Sequence, residues 1–286
     1  MRRRNQGGLP IFDAAAHYVY PEHLRCWLEG MPSSSGVYLF HGESESLPLY
    51  IGKSVNIRSR VMAHLRNPEE SPLLHQSRRI TWIETAGELG ALLLEAQLIK
   101  LQQPLFNKRL RRNRQLCALR WDGERPEVVS ANNVDFARTE SLYGLFANRR
   151  SALEKLRSLA DLHQLCYGLL GLESVSQGRA CFRAGLHRCA GACCGREPVS
   201  QHQERFSQAL AELKVVCWPW QGAVAVEETG ASLRQFHIIN NWFYLGSVET
   251  PEQAASLQSS HPGFDIDGYK ILCRLLLSDK YNIIKL

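Results

Sequence analysis

The sequence has no apolar run long enough to cross a bilayer as a helix. Its most apolar stretch, Leu89 to Leu94, sits between Glu88 and Glu95 and reads as a buried helix. No apolar core follows the basic start Met1-Arg2-Arg3-Arg4, so no secretory signal is read there and the chain is expected in the cytosol. That compartment is reducing, which argues against a disulfide framework for the nine cysteines. None of them forms a paired Cys-x-x-Cys knuckle, which argues mildly against a zinc ribbon. There is no internal repeat, no low-complexity tract and no GxxxxGK[ST] loop for a nucleotide phosphate.

Acids are missing from three places. None occurs from Ala96 to Trp121, where Lys100, Lys108, Arg109, Arg111, Arg112, Arg114 and Arg120 fall. None occurs from Ser46 to Pro68, which carries Lys53, Arg58, Arg60 and Arg66, nor from Ser174 to Arg196, which carries Arg179, Arg183, His187, Arg188 and Arg196. The net charge of +6 decides little by itself. A like-charged run is usually a solvated face. Several acid-free basic segments around one candidate site favour a nucleic-acid partner instead, and Lys108, Arg109, Arg111, Arg112 and Arg114 are the expected DNA-contacting residues.

What is present is an alternating α/β pattern in a chain of 286 residues, long enough for two domains. Residues 1–20 read as an arm and Pro21 to Glu29 as a short helix. Val37 to Phe40 and Leu49 to Ile51 read as two strands of a hairpin, bounded by Gly36, Gly42 and Gly52. Asn56 to Leu65 reads as a helix, with Ile57, Val61 and Leu65 four apart. Ile80 to Ile83 is a third strand. Thr85 and Glu88 have the form of a capping box opening a helix that stops near Pro104. The order β-β-α-β-α makes a compact unit. Strands near Cys117–Trp121 and Glu127–Ser130, helices over Arg150–His163 and Ser200–Val216, and a mixed α+β tail follow.

Three groups of residues carry chemistry. Tyr38 and Tyr50 lie on neighbouring strands with Lys53 just beyond, so that a phenol can act as a base with an ammonium beside it. Arg60 and His64 are four apart on one helix face and suit a scissile phosphate and its leaving oxygen. Glu95 is packed among leucines and alanines, and a buried carboxylate needs a partner or a cation. A hard oxygen donor beside phosphate chemistry suggests Mg²⁺ or Mn²⁺. Taken singly, the tyrosines read more readily as strand aromatics and Arg60 with His64 as a solvated helix face, and for Glu95 the alternative is a structural ion pair.

Together and in this order they resemble the GIY-YIG nuclease family, whose two name motifs are matched by Gly36-Val37-Tyr38 and Tyr50-Ile51-Gly52. The resemblance implies a catalytic set of Tyr38, Tyr50, Lys53, Arg60, His64 and Asn107, with Glu95 as the ligand of the divalent metal. Leu49 to Arg66 and Ala91 to Asn107 resemble the N-terminal domain of the excision-repair subunit UvrC, and the whole chain looks like a short homologue of it. Neither a helix-hairpin-helix signature nor room for UvrC's second nuclease domain is visible. The implied arrangement is an arm and helix over residues 1–30, a GIY-YIG nuclease domain over 31–112, a linker region with a cysteine lobe over 113–200, and a C-terminal α+β region over 201–286 for partner docking. The implied activity is one metal-dependent incision on the 3′ side of a lesion in double-stranded damaged DNA loaded with UvrB, with UvrA upstream and the nuclease itself a monomer.

Cys166, Cys181, Cys189 and Cys193, with Cys194 as a spare, offer four thiolates for an iron–sulfur cluster or for Zn²⁺. The resemblance to UvrC favours the cluster; buried metal-free thiols are the bland alternative. Two rival readings of the whole remain: a catalytically silent DNA-binding scaffold that kept the fold, and a mobile-element GIY-YIG nuclease.

Overall fold

The computed structural model describes residues 21–43, 47–107, 116–174, 179–257, 264–278 and 280–286. The chain divides into two compact units, Met1–Arg112 with Glu228–Phe236, and Asn113–Glu227 with His237–Leu286. Among the described residues no helix is long and apolar enough to cross a membrane.

The first unit is built on strands β1 (Gly36–His41), β2 (Pro48–Ser54) and β3 (Arg79–Glu84) in the order β2-β1-β3. Both pairings are antiparallel, so β1 is central and is buried along its whole length. Side chains alternate across a strand. Tyr38 and Phe40 therefore share one face, packed on Ile57, Val61 and Leu65 of helix α1 (Ile57–Leu65). Val37 and Leu39 share the other face with Ile51 and with Ile99 of helix α3 (Glu88–Gln102). A short helix α2 (Ser71–Gln76), too brief to show a period, lies between α1 and β3. The helix expected near residue 21 is a 3-10 turn over Glu22–Leu28.

Local chemistry sets the boundaries. The Asn56 side chain accepts from Ser59 N at 2.9 Å and starts α1. Helix α3 ends at Gln103, whose φ of +48° precedes Pro104 and takes the chain out of the helix. Gly36 has no room for a side chain, since a Cβ there would lie 2.2 Å from Ile83 O.

The second unit holds a sheet of β4 (Cys117–Arg120), β5 (Glu127–Ser130) and β6 (Leu142–Phe146) in the order β5-β4-β6. Helices α4 (Arg149–Leu162), α5 (Phe182–Gly185) and α6 (Val199–Leu210) follow. Leu119, Trp121, Leu156, Phe206 and Leu210 form its core. The helix expected to reach Val216 stops early, because Val215 N hydrogen-bonds Leu142 O and the chain runs extended beside β6. Strands β7 (Val224–Thr229), β8 (Arg234–Asn240), β9 (Phe243–Val248) and β10 (Ile283–Lys285) form a sheet in the order β10-β7-β8-β9, with helix α7 (Ile266–Leu276) after β9.

Candidate active site and metal centre

Tyr38 lies directly opposite Gly52 in the β1–β2 register. Its phenol occupies the space a side chain would need at position 52, where a Cβ would meet the Tyr38 hydroxyl at 2.3 Å. The glycine of the second motif is therefore a seat for the tyrosine of the first. Tyr38 is 1% exposed and sits among Phe40, Tyr50 and His64, with ring centroids 6.0, 6.2 and 5.3 Å away.

A chain of hydrogen bonds runs through this cluster. The Tyr38 hydroxyl lies 2.6 Å from His64 Nε2, and His64 Nδ1 bonds Glu70 Oε2. Asn67 Nδ2 donates to Glu70 Oε1 at 3.2 Å. Glu70 can only accept while ionised, so Nδ1 carries the proton and Nε2 accepts from Tyr38. Tyr50 packs against Tyr38, and Arg60 is close enough to act on the Tyr38 phenol electrostatically.

Burial dominates the electrostatics. It pushes the Tyr38 phenol far above its ordinary value, with the neighbouring Tyr50 adding to the shift and Arg60 opposing it. Tyr50 is raised by burial and by the Glu95 charge. Burial also raises Glu70, but the His64 and Asn67 hydrogen bonds outweigh it and hold the carboxyl below the usual range. The neighbouring Tyr38 phenol raises the Arg60 guanidinium.

Strand β2 is an edge, so its outward-facing backbone groups need partners. Asn107 supplies two: Oδ1 accepts from Ile51 N at 2.9 Å and Nδ2 donates to Ile51 O at 2.8 Å. Glu95 Oε1 accepts from Lys53 N at 3.0 Å. Burial pushes the Glu95 carboxyl upward against this bond, the mark of an anion short of positive charge and a fit for a hard cation.

Tyr38, Tyr50, Arg60 and His64 are thus brought together, and Glu95 is close enough to shift Tyr50. The expected ammonium beside the tyrosines is not. Lys53 Nζ pairs with Glu88 Oε1 at 2.8 Å, because β2 turns this side chain toward α3. Glu88 in turn does not cap α3, and the capping box expected from Thr85 is not formed: Thr85 Oγ1 donates to Gly87 O at 2.8 Å. Glu228 accepts from Leu89 N and Gly90 N at 2.9 Å each instead. Sequence distance hid that contact. Glu70 was also missed, although it is among the first acids after the acid-free span that ends at Pro68. Lys108, Arg109, Arg111, Arg112 and Arg114 lie outside the described residues.

The second centre is the cysteine lobe. The sulfurs of Cys166, Cys181, Cys189 and Cys193 all lie within 4.8 Å of one another, and the first three residues are buried. Cys181 N and Gly191 N donate to Cys193 Sγ and Cys189 Sγ at 3.4 Å each, as suits thiolates. Burial pushes Cys166 up to about 11 and Cys189 higher still, so the ionised set needs a cation. Four convergent sulfurs fit a metal. Their spacing suits one tetrahedral ion as it stands, whereas a multi-iron cluster needs the sulfurs to spread around it. Cys194 stays apart, its thiol on Gly191 O at 3.4 Å.

Residues 34–108 match the UvrC-like GIY-YIG domain, residues 116–212 the UvrC/Cho excinuclease middle domain, and residues 223–286 the excinuclease Cho C-terminal domain. Excinuclease cho of Escherichia coli O157:H7 is 63% identical over 275 residues, covering 96% of this chain and 93% of that protein. UvrABC system protein C of Caldicellulosiruptor saccharolyticus is 27% identical over 238 residues, 81% of this chain and 38% of that protein. A solved structure of the GIY-YIG N-terminal endonuclease domain of UvrC from Thermotoga maritima, bound to its catalytic divalent cation magnesium, is 28% identical. It covers 29% of this chain and 93% of its own, with a TM-score of 0.27. The readings as a silent scaffold or a mobile-element nuclease fall away, and the chain belongs to the excinuclease Cho family, UvrC-like GIY-YIG DNA endonucleases of nucleotide excision repair.

Proposed function

We propose that the protein makes a single divalent-metal-dependent incision on the 3′ side of a lesion, in damaged duplex DNA already loaded with UvrB. The observation that carries the chemistry is the hydrogen-bonded series Tyr38–His64–Glu70, with Tyr50 packed against Tyr38 and the charges of Glu95 and Arg60 close enough to act on the two phenols. Glu95 is the residue that would hold Mg²⁺ or Mn²⁺, and such a cation supplies Lewis acidity toward phosphate and water. Tyr50 takes the proton of the attacking water. It passes its own proton to Tyr38, and Tyr38 passes its own to His64 Nε2. The imidazolium formed is stabilised by Glu70, so the charge ends on a partnered group and not on a buried phenol. Arg60 binds the scissile phosphate and offsets the charge it gains. Asn107 and the Lys53 backbone hold β2 and Glu95 in place.

The dependence on UvrB rests on resemblance and on what the sequence offers. Phosphate contacts position a protein without reading bases, and the sequence shows no base-reading motif that would find a lesion. We take residues 31–112 as the cutting domain, residues beyond 200 as the docking region, and the active species as a monomer. The decisive experiment maps incision on a duplex with one defined lesion, with and without UvrB and with and without Mg²⁺. A single 3′ cut is expected only when both are present. Strong lesion-specific cutting without UvrB refutes the loading step, and cutting in chelator refutes the metal.

A further inference from the structure

Between Cys181 and Cys189 the chain forms a short loop that begins with α5. It is fixed from inside by Arg183. That guanidinium pairs with Asp161 at 2.6 Å, donates to Arg188 O at 3.1 Å and lies 3.9 Å above the Tyr167 ring centroid. Ala184 is buried beside it, and the backbone closes through Arg188 N to Arg183 O at 2.9 Å. Both ends of the loop belong to the sulfur cluster. The loop is therefore a rigid platform.

Its outer surface serves no folding purpose. Phe182 at the start of α5 is 79% exposed, and Leu186, which caps its end, is 51% exposed. A large apolar pair held in water on a rigid mount marks a contact surface. Exposed Arg179, His187 and Arg188 flank the pair along the chain, and the sequence has no acid from Ser174 to Arg196. Two kinds of partner use an exposed aromatic: an apolar protein pocket and the face of an unstacked base. The segment's arginines are complementary to phosphate, and Asp161, an acid against the loop, is already paired with Arg183; aromatics flanked by arginine are the stacking platform of proteins that hold unpaired bases.

We propose that this loop is a wedge for distorted DNA. Phe182 stacks on, or enters beside, a base already freed from its pair, Leu186 packs against the next, and Arg188 and Arg179 hold the adjoining phosphates. The site is separate from the cutting residues and does not depend on which metal the sulfurs hold. It lets the protein prefer duplex whose stacking is already broken, without reading sequence.

The test uses the full chain, with no other protein, binding a duplex that has a small mismatched bubble and the same duplex fully paired. A 2-aminopurine in the bubble reports stacking. Phe182→Ala is expected to lose about tenfold or more in affinity for the bubble, with little change on paired DNA, an unchanged salt dependence and no quenching of 2-aminopurine. Phe182→Trp retains binding and quenching. Arg188→Gln weakens both complexes and lowers the slope of log affinity against log salt by about one. A Phe182→Ala protein that binds and quenches like wild type overturns the wedge. Unchanged DNA binding together with lost incision in the UvrB-dependent reaction also overturns it, and assigns the pair to a protein partner.

Discussion

Replacing Glu70 by Gln removes one charge and leaves the shape of the His64 contact nearly intact. The two side chains, His64 and Glu70, are 3% and 29% exposed, so solvent screens the bond little. A hydrogen bond to a charged group contributes about 1.5–3 kcal/mol. Gln can still accept from His64 Nδ1, so about half of that is lost from the ground state. The loss is larger where His64 becomes cationic, because the imidazolium then has no anion beside it. At 1.36 kcal/mol per tenfold, the incision step slows by roughly 10- to 100-fold. The assay is single-turnover incision on a preloaded lesion duplex, with DNA affinity measured separately and expected to stay the same.

Stability gives a second readout with a definite sign. The folded-state pKa of Glu70 is lowered, so the carboxylate stabilises the fold above the unfolded value of 4.5. That contribution is lost as pH falls through the lower folded value. The stability gap between wild type and Glu70→Gln should therefore be full at pH 7 and close only below pH 4.5. If Glu70→Gln loses stability in that pattern but cuts at the wild-type rate, Glu70 is a structural anchor for His64 and the proton route is wrong.

Other outcomes follow from the same geometry. Glu95→Gln is expected to abolish nicking while DNA binding stays within a few-fold; wild-type cutting in Mg²⁺ removes Glu95 as the metal ligand. Tyr50→Phe should lose roughly 10²–10⁴ in single-turnover rate and Tyr38→Phe less, and the reverse order would make Tyr38 the base. Gly52→Ala drives a methyl to 2.3 Å from the Tyr38 hydroxyl; it should cost about 1–3 kcal/mol in thermal or denaturant unfolding and most of the activity, and a stable, active variant contradicts the seat for Tyr38. Anaerobically purified protein should carry metal at the four cysteines: iron with matching sulfide identifies a cluster, zinc alone a single ion, and a colourless protein with neither refutes the centre.

The β-β-α-β-α unit was legible because its signals are local. Ile57, Val61 and Leu65 at one spacing, and short β-rich runs between glycines, need no distant information. The cysteine set was legible too, since four thiols spaced over one short stretch converge in the fold. Strand β6 was not, because Leu142-Tyr143-Gly144-Leu145-Phe146 has a glycine at its centre with φ +71° and little alternation. Glu228 on the α3 N-terminus lies 139 residues from its partner Leu89, and no local pattern reports a cap supplied from that far away.

Roles were harder to read than membership. The sequence placed Lys53 beside the tyrosines, but side-chain alternation along β2 sends Tyr50 and Lys53 to opposite faces. The ammonium therefore meets Glu88, while the backbone N–H of the same residue meets Glu95. Asn107 likewise has a role that its residue type does not announce, since its amide closes both open groups of Ile51 on the sheet edge. An edge strand must find partners for every outward N–H and C=O. Here two of the residues implied as functional supply them: Asn107 closes Ile51, and Glu95 accepts from Lys53 N. Any substitution at Asn107 or Glu95 then acts twice, on the sheet edge and on the chemistry. Glu95→Gln separates the two, because the amide oxygen can still accept from Lys53 N while the charge is gone; Asn107→Asp cannot, because it loses the donor to Ile51 O.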